Sequence, residues 1–275
     1  MRTIRSVLVH VDATPSSAAR FEFARAFALR RQAAMSAMFV AWPSQPPIHR
    51  VVTGRRAAPP RLKRAAADYT TSMFDNKLAE SDPPIRWLES SDADTVEAFC
   101  RQALYVDLLV LGQHDPSTLL PGNPRTGFLE SVLIATDKPA LILPYEGGFE
   151  TAGRNVVIGW NATPEAARAF TAALPWLRNA RHVHVLEAVD ESEQRHVGDL
   201  DIAQYLRSHG IAATPHRHHS PLTDAGEVLL SLASEVGADL LVMACCRHSR
   251  LRELMLGGAS RGVLRTMTLP VLMAH

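Results

Sequence analysis

A chain of 275 residues with 47% hydrophobic content can bury one large core or two of ordinary size, and is too apolar to remain disordered. A formal net charge of +1 gives no electrostatic case for nucleic acid or an acidic membrane surface, which would need a concentrated basic patch. The three cysteines, Cys100, Cys245 and Cys246, form no even disulfide framework, and no apolar run reaches membrane-spanning length. The expectation is therefore a cytoplasmic protein of a reducing compartment, in which Met1 to Arg5 leads straight into an apolar strand.

Val7 to Val11 reads as a first strand, ended by Asp12-Ala13-Thr14-Pro15, and Phe21, Ala24, Ala28 and Leu29 then recur at helical spacing. Met35 to Ala41 is a second strand, followed by a Pro-rich loop from Pro43 to Pro60. Arg55, Arg56, Arg61, Lys63 and Arg64 cluster at its end and read as a solvated face. A helix from about Arg64 to Leu78 leads to a third strand, Ile85 to Glu89. A helix from Thr95 to Ala103, a strand from Leu108 to Leu111, a helix from Gly127 to Ala135 and a strand from Ala140 to Leu143 complete the alternation. Strands and helices in this order predict a parallel sheet covered by helices on both faces.

The pattern then starts again. Asn155 to Trp160 is a strand, Asn161-Ala162-Thr163-Pro164 matches Asp12-Ala13-Thr14-Pro15, and Phe170 stands where Phe21 stood. Asp107-Leu108-Leu109-Val110-Leu111-Gly112 recurs as Asp239-Leu240-Leu241-Val242-Met243-Ala244, and Pro139-Ala140-Leu141 as Pro270-Val271-Leu272. Three matches in the same order mark an internal duplication. The composition of Gly147-Gly148 places the division there, giving domains 1–147 and 148–275.

Leu240 to Cys245 is a short run without polar alternation, as expected of a strand buried on both faces. Gly257-Gly258-Ala259-Ser260 places flexible backbone and a hydroxyl ahead of Val263 and Leu264, with Ser260 expected as the cap of a helix whose N-terminus would favour anions. Pro270 opens the last strand, Val271 to Ala274.

The run His248-Ser249-Arg250-Leu251-Arg252-Glu253-Leu254 followed by Gly257-Gly258 resembles the C-terminal signature of the universal stress protein family. Because the duplication spans nearly the whole chain, the resemblance is to tandem members. It implies an α/β protein of two doubly wound, five-stranded parallel-sheet domains, of the adenine nucleotide alpha hydrolase-like kind. The two form a pseudo-two-fold pair that looks like the single-domain dimer made covalent, with a linker that keeps the halves at high effective concentration. Pairing of the two halves is the partner it implies, with a further homodimer open and neither nucleic acid nor membrane expected.

The resemblance also implies where a ligand would sit. In nucleotide-binding members an acid ends the first strand, and the loop after the fourth reads Gly, two residues, Gly, nine residues, Gly, then Ser or Thr. Bare backbone there approaches phosphate closely. In the second half these positions hold Asn161, then Ala244, Arg247, Gly257 and Gly258, with Ser260 beyond. These six residues are the candidate nucleotide or anion site, with Arg247 able to supply charge in place of the missing backbone cradle. In the first half Asp12 and Gly112 remain, but Asp115 stands at the second glycine, where a carboxylate repels phosphate; Asp12 is expected to cap or organise its loop. No cofactor is fixed by these residues, and ATP is the one they admit.

Other chemistry is sparse. No Gly-x-Ser-x-Gly, no Gly-x-x-x-x-Gly-Lys and no His-Glu-x-x-His occurs, so no residue gives a positive reason to propose catalysis, and a stress-response factor is what the resemblance implies. His182 and His184 on one strand, and His216, His218 and His219 on or just after the next, alternate so that rings share a face, the pattern of a nitrogen-ligand zinc site; the plainer alternative is exposed edge-strand histidines, and no metal ligand is assigned. Cys245-Cys246 is a redox alternative in which one thiol must be buried, because strand neighbours point opposite ways.

Overall fold

A computed structural model describes residues 4–40, 84–90, 94–116, 127–188, 201–218, 225–245 and 257–275. Ten strands are described: β1 (Ser6–Val11), β2 (Ala34–Val40), β3 (Arg86–Ser90), β4 (Leu108–Gly112), β5 (Ala140–Leu143), β6 (Asn155–Trp160), β7 (His182–Ala188), β8 (Thr214–His218), β9 (Leu240–Ala244) and β10 (Val271–Ala274). The described helices are α1 (Pro15–Arg31), α2 (Thr95–Ala103), α3 (Phe128–Ala135), α4 (Pro164–Leu177), α5 (Ile202–Ser208), α6 (Ala225–Glu235) and α7 (Gly258–Thr266). The helix expected from Arg64 to Leu78 and the arginine cluster before it lie outside the described residues.

Two units divide the chain, Ile4–Thr136 and Asp137–His275. In the first the strand order is β3-β2-β1-β4, and the pairings of β1 with β2 and β4 and of β2 with β3 are parallel. In the second the order is β5-β10-β9-β6-β7-β8, parallel from β10 to β8. The sequence β3-β2-β1-β4 is reproduced strand for strand by β8-β7-β6-β9. The one antiparallel pairing in the second unit joins β5 to β10, with Ile142 opposite Val271 and Leu141 opposite Leu272. The last strand of the first repeat is thus hydrogen-bonded to the last strand of the second. Pairing of the halves is what the family resemblance implies, and both strands of this contact lie within the second unit.

Both central strands are apolar because both faces are covered: Val7, Leu8, Val9 and Val11 of β1, and Leu240, Leu241 and Val242 of β9, are buried. Helix α1 closes over its sheet with Phe21, Ala24, Phe27 and Ala28, and a fully buried phenylalanine such as Phe21 contributes roughly 1.5–3 kcal/mol. Leu29, expected on this stripe, is 45% exposed, because the buried face of α1 passes through Ser17, Arg20 and Phe21 instead.

The repeated Asp107 and Asp239 have a structural reason. Asp107 Oδ2 accepts the backbone N–H groups of Arg5 (2.9 Å) and Ser6 (3.0 Å) and the Ser6 hydroxyl (2.9 Å), tying the start of β1 to β4. Asp239 accepts from the N–H groups of Arg154 (3.0 Å) and Asn155 (2.8 Å), tying β6 to β9 in the same way. Each carboxylate satisfies two donors that precede the strand ladder. Asp107→Ala is expected to destabilise the first unit by about 1–3 kcal/mol, and Asp239→Ala the second by a similar amount, read as a lowered urea midpoint. An unchanged midpoint in both variants would contradict this role.

Candidate functional site

The reversal in strand order between β1 and β4, and between β6 and β9, opens a crevice at the carboxyl ends of those strands. In the first repeat Asp12 follows β1 and Gly112 ends β4, and the structure joins them through a residue the sequence reading missed. Arg20, on the buried stripe of α1, is 3% exposed. Its Nε donates to the His10 carbonyl (2.8 Å) and its Nη2 to Asp12 Oδ2 (2.6 Å). A Cβ built on Gly112 would stand 2.0 Å from Arg20 Nη1. Glycine is needed there because a guanidinium, not a phosphate, lies against it.

Asp12 organises its loop rather than capping α1, whose cap residue is Thr14. Asp12 Oδ1 accepts the Thr14 backbone N–H (2.8 Å) and the Thr14 hydroxyl, and the Asp12 N–H donates to Ser17 Oγ (3.0 Å). Burial opposes ionisation of Asp12, but Arg20 and the hydrogen bonds from Thr14 outweigh it and hold the carboxyl below its ordinary range. His10 is also buried, against Phe128 (4.6 Å between ring centroids) and Phe99 (5.8 Å). Burial lowers its pKa to about 3, Asp12 at 3.5 Å opposing the shift and Arg20 adding to it, so the ring is neutral across the physiological range. The Arg20 and Asp12 charges are matched to each other at 2.6 Å.

The second repeat differs at each of these positions. Ala169 stands where Arg20 does, Asn161 where Asp12 does, Ala244 where Gly112 does and Gly159 where His10 does. Asn161 Oδ1 accepts from the Thr163 hydroxyl (2.9 Å), which in turn accepts from the Ala166 N–H (3.2 Å) and caps α4. Ala162, next to Asn161, has φ +54°, a left-handed conformation that costs a non-glycine residue roughly 1–2 kcal/mol.

Ser260 does not cap its helix. Helix α7 begins at Gly258 with Gly257 as the cap residue, so Ser260 is the third helical residue, buried, and its hydroxyl donates to the Ala244 carbonyl (3.2 Å). The chain enters the helix three residues earlier than the hydroxyl suggested, and the hydroxyl fastens α7 to the end of β9. Among the described residues no side chain caps the first turn of α7. Gly258 is exposed with open space where a Cβ would stand, and Gly226 of α6 comes so close that its Cβ would meet the Ala259 carbonyl oxygen at 2.8 Å. Ala244, Gly257, Gly258 and Ser260 are therefore gathered at one end of β9. Asn161 follows the neighbouring strand β6, paired in parallel with β9. Arg247 lies outside the described residues, as does Cys246. Cys245 is buried, and its N–H bonds the Ala274 carbonyl (2.8 Å).

Strands β7 and β8 are parallel neighbours, and their register puts Leu186 opposite His216. His184 Nδ1 and His216 Nε2 lie 3.0 Å apart. His182 precedes them on β7, His218 ends β8, and His219 lies outside the described residues. Among the described residues no group of three or more metal-ligating side chains is assembled.

The Arg20 arrangement generates two tests. Arg20→Ala alone strands a buried carboxylate and is expected to cost about 3–5 kcal/mol, whereas the double change Asp12→Asn with Arg20→Ala, copying the second repeat, should recover most of that loss. Gly112→Ala should destabilise the native chain and be tolerated once Arg20 is alanine, as Ala244 is beside Ala169; additive effects in a double-mutant cycle would refute the contact. The neutral His10 sets a pH dependence. Unfolded histidine takes up a proton below about 6.5 and the buried ring does not, so stability should fall with pH from there towards 3, by about 2 kcal/mol near pH 5. His10→Leu should flatten that slope in a pH series of urea melts. The stability carried by ionised Asp12 is lost only at lower pH, below the ordinary carboxylate range.

Comparison with known proteins agrees with this architecture. The universal stress protein family matches residues 153–275. No curated protein matches the chain. Among solved structures, a universal stress protein from Archaeoglobus fulgidus DSM 4304 superposes with a TM-score of 0.70 at 15% identity, covering 98% of this chain and 97% of that one. A putative universal stress protein from Pseudomonas aeruginosa UCBPP-PA14 does so at 0.62 and 16% identity, covering 98% and 93%. At these identities the structures establish a shared fold; residues 153–275 match the universal stress protein family, and the first half repeats the strand order of that part.

Proposed function

We propose that this protein is a cytoplasmic stress-response factor that works by binding rather than by catalysis, and that its remaining capacity for a nucleotide or another phosphate-bearing anion lies in the second repeat. One observation carries this reading, the exchange of Arg20 for Ala169 at equivalent positions of the two repeats. In the first repeat the guanidinium lies in the crevice with its charge neutralised by Asp12, so an incoming phosphate would have to break a buried ion pair. In the second, α4 offers a methyl group at that position, and the uncapped first turn of α7 supplies backbone N–H groups and the positive end of a helix. Ala244 in place of the first glycine weakens the backbone cradle, so the site is degenerate and modest affinity is expected. The candidate set is Asn161, Ala244, Gly257 and Gly258, with Arg247 as the charge. Ser260 holds the helix in place. Asp12 and Gly112 serve the structure of the first repeat.

We further propose that the repeat boundary lies near Gly147-Gly148, and that further association of two chains is compatible with the β5–β10 pairing. No described helix is long and apolar enough to cross a membrane.

At ten times its dissociation constant a ligand of the folded chain contributes about 1.4 kcal/mol, a rise in Tm of about 3–5 °C for a domain of this size. ATP and pyrophosphate at millimolar concentration should each produce such a rise. Gly258→Glu, which sets a carboxylate in open space at the first turn of α7, should abolish it without unfolding the chain, because acids are favourable at helix N-termini. Absence of any shift, or a shift that survives Gly258→Glu, would sink the proposal.

A further inference from the structure

Within the second unit, the edge of the sheet carries a pair of groups that the anion site does not use. His184 and His216 belong to adjacent parallel strands, on the face where Leu186 stands opposite His216. Their rings are 5.2 Å apart between centroids and tilted by 41°, with Nδ1 of one facing Nε2 of the other at 3.0 Å. Both side chains are partly exposed, and β8 is the last strand in the order, so the pair is reachable from solvent. Two nitrogens bound at the usual length to one tetrahedral zinc are about 3.3 Å apart, close to this separation, so rotation of the two rings to aim both lone pairs at one ion converts this contact into a chelate.

We propose that His184 and His216 form a two-histidine site for one borderline divalent transition metal ion of the zinc class, which staples edge strand β8 to β7. Imidazole suits such ions, and the remaining coordination positions are filled by water. Both rings must offer a lone pair at the facing nitrogens. In the contact as it stands one facing nitrogen carries the shared proton; on binding, that ring adopts its other tautomer, with the proton on the nitrogen that points away. No net proton leaves a neutral pair. Because the ligands come from two strands, the ion bridges them in the folded chain alone. Binding therefore stabilises the native state.

The test uses untagged full-length protein and zinc ion as the probe, in a non-coordinating buffer at neutral pH. Calorimetry should give one zinc per chain, and zinc should raise Tm. His184→Gln and His216→Gln should each weaken binding by roughly tenfold or more, since even the outer-shell partners of metal ligands are worth that much. Glutamine keeps a hydrogen-bonding group at each position, and a melt without zinc checks that each variant folds. His209→Gln, on another element, should bind as the native chain does and controls for the twelve histidines of the sequence. No saturable zinc binding by the native protein, or undiminished binding by the double variant His184→Gln with His216→Gln, would overturn the assignment.

Discussion

The buried pair between Arg20 and Asp12 governs the first repeat. A crevice at the carboxyl ends of β1 and β4 is inherent in a sheet whose strand order reverses there, and something must fill it. An arginine from the helix that follows β1 is long enough to reach across. Once its guanidinium is out of water, its neighbours have little freedom. It needs a carboxylate within hydrogen-bonding distance, supplied by Asp12 at 2.6 Å, a carbonyl for its Nε, supplied by His10, and a residue without a Cβ at the end of β4, supplied by Gly112. A buried charge left unpaired costs far more than a buried pair gives, so these positions change together or not at all.

They have changed together in the second repeat. Asn161, Ala169 and Ala244 form a neutral, small version of the same corner, and the retained threonines, Thr14 and Thr163, both bond the residue that ends the preceding strand. One repeat thus sets an arginine of its first helix against the residue that follows its first strand, while the other has Ala169 at that position and its neighbour Arg168 bonds the His275 carbonyl (2.7 Å). Strands β5 and β10 pair antiparallel within the second unit. The pinning carboxylates, Asp107 and Asp239, show the converse: they serve the sheet rather than the ligand place, and both repeats keep them.

The edge of the second unit follows a separate logic. A terminal strand presents unpaired backbone and needs protection from pairing with other chains. Polar side chains such as His216 and Arg217 on β8 serve that purpose. The parallel register then sets His184 beside His216. Chemistry at this edge comes from pairing geometry, whereas chemistry at the crevice comes from loops.

The sequence by itself determined the duplicated α/β alternation, because strands buried on both faces must be continuously apolar and the matching motifs recur in order. It also located the corner residues Asp12, Asn161, Gly112 and Ala244, since turn chemistry after a strand is local. It misjudged Ser260, because a hydroxyl ahead of a helix and a hydroxyl inside its first turn look alike until the glycines' backbone conformation is known. It overlooked Arg20 because periodicity ranks a charged residue on an apolar stripe as surface, and only tertiary structure brings Asp12 and the distant Gly112 within reach of one guanidinium. The meeting of His184 with His216 was likewise a matter of register. Local rules fix which residues form elements; which distant side chains share a desolvated space is decided only when the elements pack.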